Sequence, residues 1–414
     1  MAQSAALART SLVEATPRTM GAAAGNFRIS IGHRLDEVEA VWRRLTARSV
    51  ESPGQIFEFV RLWIDSLGIA ASDQYFILAE DGGAPVALLP LQRRWDRGVR
   101  VLSWFQGAHV GCNAPLVDAP RLAAMPPARR AALWRQMLAS VPGADLVYLK
   151  SVPQLVVDGA DLFAELGQWM SADTLYRASF TSFEEADRTQ RNKSRRKHDR
   201  QQGDKLEAMG EVRFEEMRNG VAAGLVLDTM FQQRAARFRE MGVFDPFCSA
   251  NVRAFYDATA VSGSHVPVML HVLTLNGDVV AVRYNIVYGD RIFCLISSMS
   301  EDISLRPGSP GKQCLLRVMQ TVFDAGYRAF DMGEGLTDEK RHWCNVQVPV
   351  RHHYVPVTRR GTLAALGHRG LHQLKARVKS DPRLLELAKR ARGLLLNLSG
   401  RGGATAPTST PDAD

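Results

Sequence analysis

The most regular pattern of apolar and polar positions in this chain lies between residues 291 and 343. Arg291–Ser298 is a short apolar run bounded by turn residues, which predicts a buried strand. Five apolar residues beyond a polar loop recur at helical spacing: Leu315, Val318, Met319, Val322 and Phe323. They predict a helix with one apolar stripe that ends near Gly326. Arg328–Met332 predicts a second strand, and the helical crossover predicts that the two strands are parallel.

The N-terminal half has an α/β pattern of its own. Apolar runs and helical spacing predict strands at Phe27–Ile31, Tyr75–Glu80, Pro85–Leu91, Val99–Trp104 and Leu146–Lys150, and helices over Leu35–Leu45, Ile56–Leu67 and Ala131–Ser140. The turn Asp81–Gly82–Gly83 predicts a hairpin between the second and third of these strands. This order of elements is typical of an α/β layer.

The C-terminal half repeats this order. Val221–Met241 predicts a helix, and Val266–Leu275 and Val279–Val287 predict strands joined by a tight Asn276–Gly277 turn. The stretches FILAEDGGAPVALLPL and HVLTLNGDVVAVRYNI therefore share a pattern of strand, glycine turn and strand, which indicates an internal repeat. Val348–Val357 predicts a last strand.

Other segments separate or flank these two units. Residues 1–25 and 399–414 lack a sustained period and are expected to be disordered tails, and Leu155–Ala178 is interpreted as transitional. Leu363–Leu398 alternates leucines with Lys and Arg and predicts a pair of basic amphipathic helices broken at Asp381–Pro382. Such helices pack on the protein's own surface, which we favour, or lie on anionic membranes.

Composition narrows the class of protein. A chain of 414 residues suits two domains, and a net charge of +9 suits acidic partners. The five cysteines are scattered, without a C-x-x-C pair, which argues against a disulfide framework and predicts a reducing, cytoplasmic compartment. No apolar run has the length of a membrane span, and Arg9 and Glu14 interrupt any signal-peptide core.

The loop LRPGSPGK, residues 305–312, is the first candidate for chemistry. Ser309 is a strong N-cap residue and Pro310 suits the first helical position, so a helix is expected to begin here. Glycines permit close approach of a ligand, a helix N-terminus attracts anions, and Arg306 and Lys312 add positive charge. The loop therefore suits a phosphate or pyrophosphate site, and the alternative is a simple turn.

These residues resemble the pyrophosphate-binding segment of the GNAT acyltransferase superfamily. The resemblance rests on Ser309–Pro310–Gly311, on Gly326, and on Phe330–Gly335 with Lys340 and Trp343 after it. The closest pattern is that of the tandem-GNAT proteins labelled cellulose-biosynthesis-associated acetyltransferases, which are related in fold to Fem-type peptidoglycan aminoacyltransferases. The superfamily pattern is Arg/Gln-x-x-Gly-x-Gly/Ala; Arg306 and Gly311 fit it, whereas Ser309 replaces the middle glycine.

The resemblance implies a mixed α/β fold of two GNAT-like domains in tandem, each a mixed central sheet flanked by helices. The implied boundaries are 26–155 and 181–360 for the two domains, 156–180 for the linker and 361–398 for the basic helices. Acetyl-CoA or another acyl-CoA is the implied co-substrate. No metal is expected, because His342, Cys344, His352 and His353 match no standard zinc spacing.

Site residues follow from the same resemblance. The residues expected to bind the coenzyme are Ser297, Ser298, Arg306, Gly308, Ser309, Gly311 and Lys312. Glu334 is the first candidate for general base and Asp331 the second, although Asp331 also suits a structural role as the cap of the Gly-Glu-Gly turn. Lys340 and Trp343 are expected to shape the acceptor pocket, and Trp343 equally suits the core.

The favoured function is an acyl-CoA-dependent N- or O-acyltransferase, an N-acetyltransferase in the first instance, that acts on a small-molecule or glycan acceptor such as a cell-envelope or exopolysaccharide precursor. A Fem-like transferase that uses charged tRNA is the alternative, motivated by the basic run Arg191–Gln202, which more often forms a solvated helix face. The third hypothesis is that the protein is a non-catalytic GNAT-like accessory protein. The sequence shows no G-x-S-x-G elbow or Walker loop, and a monomer and a dimer both remain open.

Overall fold

The structure is a computed structural model that describes residues 27–380. Thirteen of its strands form one mixed sheet, and helices cover the faces of that sheet. The strands are β1 (Arg28–Gly32), β2 (Gln74–Asp81), β3 (Ala84–Asp96), β4 (Val99–Ser103), β5 (Leu116–Val117), β6 (Leu146–Pro153), β7 (Val156–Val157), β8 (Ala160–Asp161), β9 (Gln168–Ser179), β10 (Val212–Met217), β11 (Val268–Leu275), β12 (Asp278–Tyr288), β13 (Arg291–Met299), β14 (Ala329–Glu334) and β15 (Val346–Pro356).

Eleven α-helices lie within the same described range. They are α1 (Glu39–Thr46), α2 (Phe57–Leu67), α3 (Ala119–Ala123), α4 (Pro127–Ala139), α5 (Phe183–Gln190), α6 (Lys193–Glu207), α7 (Val221–Met241), α8 (Ala250–Ala260), α9 (Pro310–Asp324), α10 (Asp338–Trp343) and α11 (Arg359–Ser380). The predicted α/β class is confirmed.

The sheet has the strand order β1-β2-β3-β4-β6-β15-β9-β14-β13-β12-β11-β10, with β5 beside β3 and β7 paired with β8 apart from it. Two neighbouring pairs are parallel, β4 with β6 and β13 with β14, and the others are antiparallel. Helices connect the two strands of each parallel pair, α3 and α4 in the N-terminal half and α9 in the C-terminal half. The repeated arrangement supports the predicted tandem of two similar mixed sheets.

Local turn chemistry explains the connections that the sequence predicted. Asn276 and Gly277 have φ angles of 53° and 89°, the left-handed conformations that a two-residue hairpin requires, and they join β11 to β12. Gly326 has a φ of 84° and follows the end of α9, as expected of a helix stop. The parallel pairing of β13 with β14 is confirmed as well.

The elements that were not predicted include β9, β10 and α8. The strand β9 lies within the stretch interpreted as transitional, yet it pairs with both β14 and β15 near the middle of the sheet. Its first half, QWMSADT, is polar and mostly exposed, and only its second half is buried. The alternation of apolar and polar residues that usually predicts a strand is therefore missing from this segment.

One apolar core joins the two halves. It contains residues of α1 and α2 from the N-terminal half and of α7, α8 and β11–β13 from the C-terminal half. The ring of Phe255 in α8 meets Phe59 and Trp63 of α2 edge to face, with centroids 5.0 and 4.9 Å apart. Such aromatic pairs contribute about 0.5–1.5 kcal/mol each beyond the area they bury, so this core fixes the halves relative to each other.

The helix α11 follows β15 and packs on the strands of the N-terminal half. Ala364 and Ala365 contact a small core with Val101, Leu146 and Tyr354, as expected of packing on the protein's own surface. Leu363, Leu366 and Leu374 remain more than half exposed. The second predicted basic helix lies outside the described residues, and no described helix is long and apolar enough to cross a membrane.

Candidate active site

The parallel strands β13 and β14 separate soon after they begin to pair. They are in register only over Arg291–Phe293 and Ala329–Asp331, and they diverge beyond these residues. A bulge in β13 lies at Leu295, because Tyr284 pairs with Ile296 and Asn285 pairs with Cys294. The carboxyl ends of both strands therefore lie at the same edge of the sheet, with a gap between them. Ligands of α/β proteins tend to bind at this kind of edge.

The loop before α9 closes this edge on one side. Ile303–Gly308 forms a short 3-10 helix, and Pro310 is the first residue of α9, as predicted. Ser309 occupies the N-cap position with φ 46° and ψ 62°, but its hydroxyl caps no backbone amide, so the predicted capping bond is wrong. Instead Ser309 Oγ accepts a hydrogen bond from Gln202 Nε2 of α6 at 2.7 Å.

The conformation of Ser309 explains its place in the superfamily pattern. The left-handed region costs a non-glycine residue about 1–2 kcal/mol, whereas glycine enters it freely. Ser309 therefore holds a backbone conformation that glycine adopts more easily, and the bond from Gln202 ties it to α6.

A pocket of about 170 Å³ lies between the end of β13, the start of α9 and the helix α7. Ten residues line it: Gln233, Arg234, Arg237, Arg283, Ser297, Ser298, Met299, Glu301, Gly311 and Glu339. Three of the predicted coenzyme-binding residues, Ser297, Ser298 and Gly311, thus lie in one pocket. The three arginines outnumber the two carboxylates of this lining, Glu301 and Glu339, and together with the positive end of α9 they favour an anion.

Two of the three arginines of this pocket have carboxylate partners. Arg237 lies 3.1 Å from Glu240 and 3.6 Å from Glu301, and Arg283 lies 2.9 Å from Glu339. Arg234 donates through Nη1 to the carbonyl of Ser297 at 3.3 Å, and Arg283 donates through Nη2 to Gly311 O and to Glu339. The Nε atoms of Arg234 and Arg283 are buried and have no hydrogen-bond partner within residues 27–380. Burial lowers the pKa of Arg234, as expected of a cation without a full counter-charge. Arg234 is therefore the cation of this pocket whose charge a bound anion would neutralise.

The other predicted coenzyme-binding residues lie around the pocket and do not line it. Gly308 is buried against α6, where an added Cβ would lie 2.9 Å from Leu206 Cβ, so this glycine lets the loop approach the helix. Arg306 is exposed and lies 3.8 Å from Glu240, and Lys312 lies 3.8 Å from Asp338. Such exposed pairs are weak, so both cations stay available to a ligand.

Glu334 lies at the carboxyl end of β14, against the N-terminal half of the chain. Burial raises its pKa to about 7, while the Ser151 hydroxyl and the charge of Lys150 act in the opposite direction. A carboxyl group with this pKa is half ionised near neutral pH, which suits a general base. Glu334 Oε1 is buried, and the Ser151 hydroxyl lies beside the carboxyl group.

Lys340 fixes the turn that carries Glu334. Its ammonium group is buried and donates to the carbonyls of Gly333, Glu334 and Gly335. An ammonium group has three protons, so these bonds use all of its donors. The structure therefore places Lys340 beneath the turn, where it positions Glu334.

Asp331 takes part in a buried network. Its Oδ2 accepts from Arg177 Nε at 2.5 Å and its Oδ1 accepts from the Gly333 amide at 2.8 Å. Arg177 in turn donates to Glu51, which comes from the N-terminal half. Asp331 thus caps the turn, in line with the structural alternative, and connects it to the other half of the chain.

Trp343 and the nearby thiols belong to the core. Trp343 is 5% exposed and packs among the residues of the C-terminal half, with Arg191 over its ring at 5.2 Å. Burial raises the pKa values of the Cys294 and Cys344 thiols, the latter to about 12, so both are poor nucleophiles at neutral pH. No group of three His, Cys, Asp or Glu side chains able to hold a metal ion occurs among residues 27–380.

Sequence reasoning did not find Arg234, Arg237 and Arg283. Arg234 and Arg237 lie in QQRAARFRE of α7, which reads as a solvated helix face. Arg283 is a charged residue inside an otherwise apolar strand, DVVAVRYNIVY, and that interruption was the one available signal. A charged side chain that is 4% exposed needs a partner or a function.

Comparison with known proteins agrees with this geometry. Residues 193–341 match the family model described as acetyltransferase (GNAT) domain. This stretch begins with α6 and includes the pocket, the loop before α9, Glu334 and Lys340. No curated protein matches the chain.

Several solved structures are similar to the chain. L-PGS from Bacillus licheniformis is 12% identical over 77% of this chain and 96% of that chain, with a TM-score of 0.45. A tandem GNAT protein from the clavulanic acid biosynthesis pathway is 12% identical over 80% of this chain and 98% of that chain, with a TM-score of 0.43. FemX is 10% identical over 70% and 90%, with a TM-score of 0.45.

Proposed function

We propose that this chain, whose residues 193–341 are a GNAT acetyltransferase domain, transfers an acyl group from an acyl-CoA to an amine or hydroxyl of a small-molecule or glycan acceptor. The enzyme class, an acyltransferase, follows from the family match. The acceptor, with a sugar or a cell-envelope precursor as first choice, is the part we propose. The observation that carries the proposal is the conjunction of an arginine-lined pocket at the start of α9 and a half-buried carboxyl group of raised pKa at the end of β14.

The pocket residues fit the phosphate groups of coenzyme A. Arg234, Arg237 and the N-terminus of α9 would hold the pyrophosphate, with Lys312 and Arg306 at the rim. The coenzyme supplies an activated thioester. In this proposal the pantetheine arm of the coenzyme lies in the gap between β13 and β14, which stop pairing after Phe293 and Asp331.

Glu334 is the proposed general base. With a pKa of about 7 it accepts the proton that the acceptor loses as the new bond to the acyl carbon forms. The carbon–sulfur bond then breaks, and the leaving sulfur takes up a proton. Lys340 and Asp331 hold the turn that positions Glu334, so we assign them positioning roles.

The basic run of α6 gives little support to the tRNA alternative. Arg191 and Arg195 pair with Asp199, and Arg196 pairs with Asp187, so much of the charge is neutralised within the protein. The remaining cations, Lys193, Lys197 and Arg200, are exposed on one short helix. Failure to bind tRNA at low salt would exclude this alternative.

Acetyl transfer provides the direct test of the base assignment. Coenzyme A release from acetyl-CoA is measured with amino sugars as acceptors, in the unaltered protein and in Glu334→Gln. The variant is expected to lose most of its turnover, by about 100-fold or more, while its affinity for acetyl-CoA is nearly unchanged. Full turnover in the variant would rule out Glu334 as the base.

A further inference from the structure

The helix α11 presents large apolar side chains to solvent and small residues to the protein. Leu363, Leu366 and Leu374 are 71%, 59% and 56% exposed, whereas Ala365 is 4% exposed and packs on β4 and β6. A Cβ atom added at Gly361, one turn before Ala365, would lie 1.7 Å from a carbonyl oxygen at the start of β6. An ordinary surface helix has the opposite arrangement, because its apolar stripe faces the core.

The three exposed leucines form a leucine row on one side of α11. Leu366 follows Leu363 by one turn of the helix, and Leu374 follows Leu366 by roughly two further turns. Leu371, which is 40% exposed, borders the row. Single exposed leucines scattered over a surface need no explanation, whereas a contiguous row of them marks an interaction surface.

The same helix is strongly basic. Between residues 359 and 380 the chain has no aspartate or glutamate and six cationic residues: Arg359, Arg360, Arg369, Lys375, Arg377 and Lys379. Arg359 and Arg360 are exposed and precede Leu363 by four and three residues, so they lie on the same side of the helix as the leucine row. The surface therefore suits a partner that is both apolar and anionic.

Charge distinguishes the occupants that this surface would take. Residues 381–398, which follow α11, contain four cationic and two acidic residues, and a second copy of α11 would bring the same six cations as the first. Either protein occupant would place like charges together, which opposes docking. An anionic lipid surface has the opposite charge and attracts each Lys or Arg near it. An anionic bilayer therefore fits the surface best.

We propose that α11 docks this protein on an anionic lipid bilayer. The leucine row enters the boundary between headgroups and acyl chains, and the cations of the helix pair with lipid phosphates. The side of α11 that carries Ala365 stays against β4 and β6, so docking requires no rearrangement of the fold. This inference concerns where the protein binds and is independent of the proposed acyl transfer.

Vesicle flotation with the whole chain tests the proposal. Wild type should float with vesicles of equal parts phosphatidylglycerol and phosphatidylcholine, and high salt should release it because salt screens the charges. It should not float with phosphatidylcholine alone. The triple variant Leu363→Gln, Leu366→Gln and Leu374→Gln keeps the charge and a good helix former at each position, and it should bind the mixed vesicles at least about tenfold more weakly. The double variant Arg359→Gln and Arg360→Gln should lose about tenfold or more as well.

The matched control is the double variant Val221→Gln and Leu225→Gln, because these residues are 85% and 66% exposed on α7 in the C-terminal half. It should bind the mixed vesicles as tightly as wild type. No binding to the mixed vesicles, equal binding to phosphatidylcholine alone, or unchanged binding in the leucine variant would each overturn the inference.

Measurements without vesicles test whether protein covers the leucine row instead. The leucine variant should unfold at the same urea concentration as wild type, and both should sediment alike in analytical ultracentrifugation. A less stable leucine variant would show that another segment of the chain already buries these leucines. A dimer of wild type that the leucine variant does not form would show that a second copy buries them. Either result would overturn the assignment to a lipid surface.

Discussion

Replacement of Glu334 by glutamine should stabilise the protein at high pH and leave its stability unchanged at low pH. Burial raises the pKa of this carboxyl group from 4.5 to about 7 in the folded protein. Below pH 4.5 the group is protonated in both the folded and the unfolded states, and its burial carries no charge penalty. Above pH 7 it is ionised in both states, and the folded state alone bears the cost of the buried charge.

The size of the effect follows from the two pKa values. A difference between 4.5 and about 7 corresponds to about 3 kcal/mol, since each pKa unit is equivalent to about 1.4 kcal/mol. The wild-type protein loses this contribution as the pH rises from 4.5 to about 7. Glutamine remains neutral, so the Glu334→Gln variant should gain up to about 3 kcal/mol over wild type at pH 8.

Urea unfolding of both proteins at pH 4.5, 6 and 8 measures this gain. Glu215→Gln is the control, because Glu215 is exposed on the edge strand β10 and its replacement should give no comparable gain at pH 8. A Glu334→Gln effect of equal size at all three pH values would refute the reasoning, since it would show that the carboxyl group carries no buried charge in the folded state.

The remaining predictions concern the loop, the turn and the pocket. Ser309→Gly should keep acetyl-CoA affinity, because glycine accepts the φ of 46°. Ser309→Val should lower the free energy of unfolding by about 1–2 kcal/mol and weaken acetyl-CoA binding. Equal affinity and equal thermal stability of the two variants would contradict this prediction. Lys340→Met should cost about 2–4 kcal/mol of unfolding free energy and reduce turnover, because three carbonyls lose their donor; a fully active and equally stable variant would exclude the positioning role. Arg234→Glu should weaken acetyl-CoA binding about tenfold or more in a titration, with Arg218→Glu, directly after β10, as the control.

Local patterns were sufficient to predict the elements that frame the site. The strand β13, the helix α9 and the strand β14 carry strong signals: a continuous apolar run, a helical stripe with proline at its start, and a glycine stop. The hairpin at Asn276–Gly277 follows from two residues that tolerate positive φ. In each case the information lies within one short stretch of sequence.

Long-range pairing determines what the sequence did not reveal. The strand β9 is stabilised by β14 and β15, which follow much later in the chain, and its own polar first half gives no signal. Arg234 joins Gly311 only because α7 packs beside β13. Ser151 is an ordinary serine in the sequence, and its positive φ comes from contacts with His352 and Asn113.

Some predictions remain open. The domain boundaries, the cytoplasmic location and the roles of the individual site residues stay predictions, as does contact of the basic helices with anionic membranes. The exposed leucines of α11, Leu363 and Leu366, are compatible with such contact, while Ala364 and Ala365 pack on the protein itself.

Titration of the purified protein with acetyl-CoA and with free coenzyme A, by calorimetry, tests the central claim most directly. The account predicts saturable binding at one site for both ligands, and weaker binding of both in Arg234→Glu. A protein that unfolds cooperatively yet binds neither ligand, or a variant that binds both as tightly as wild type, would contradict the assignment of the pocket at the start of α9 to the coenzyme.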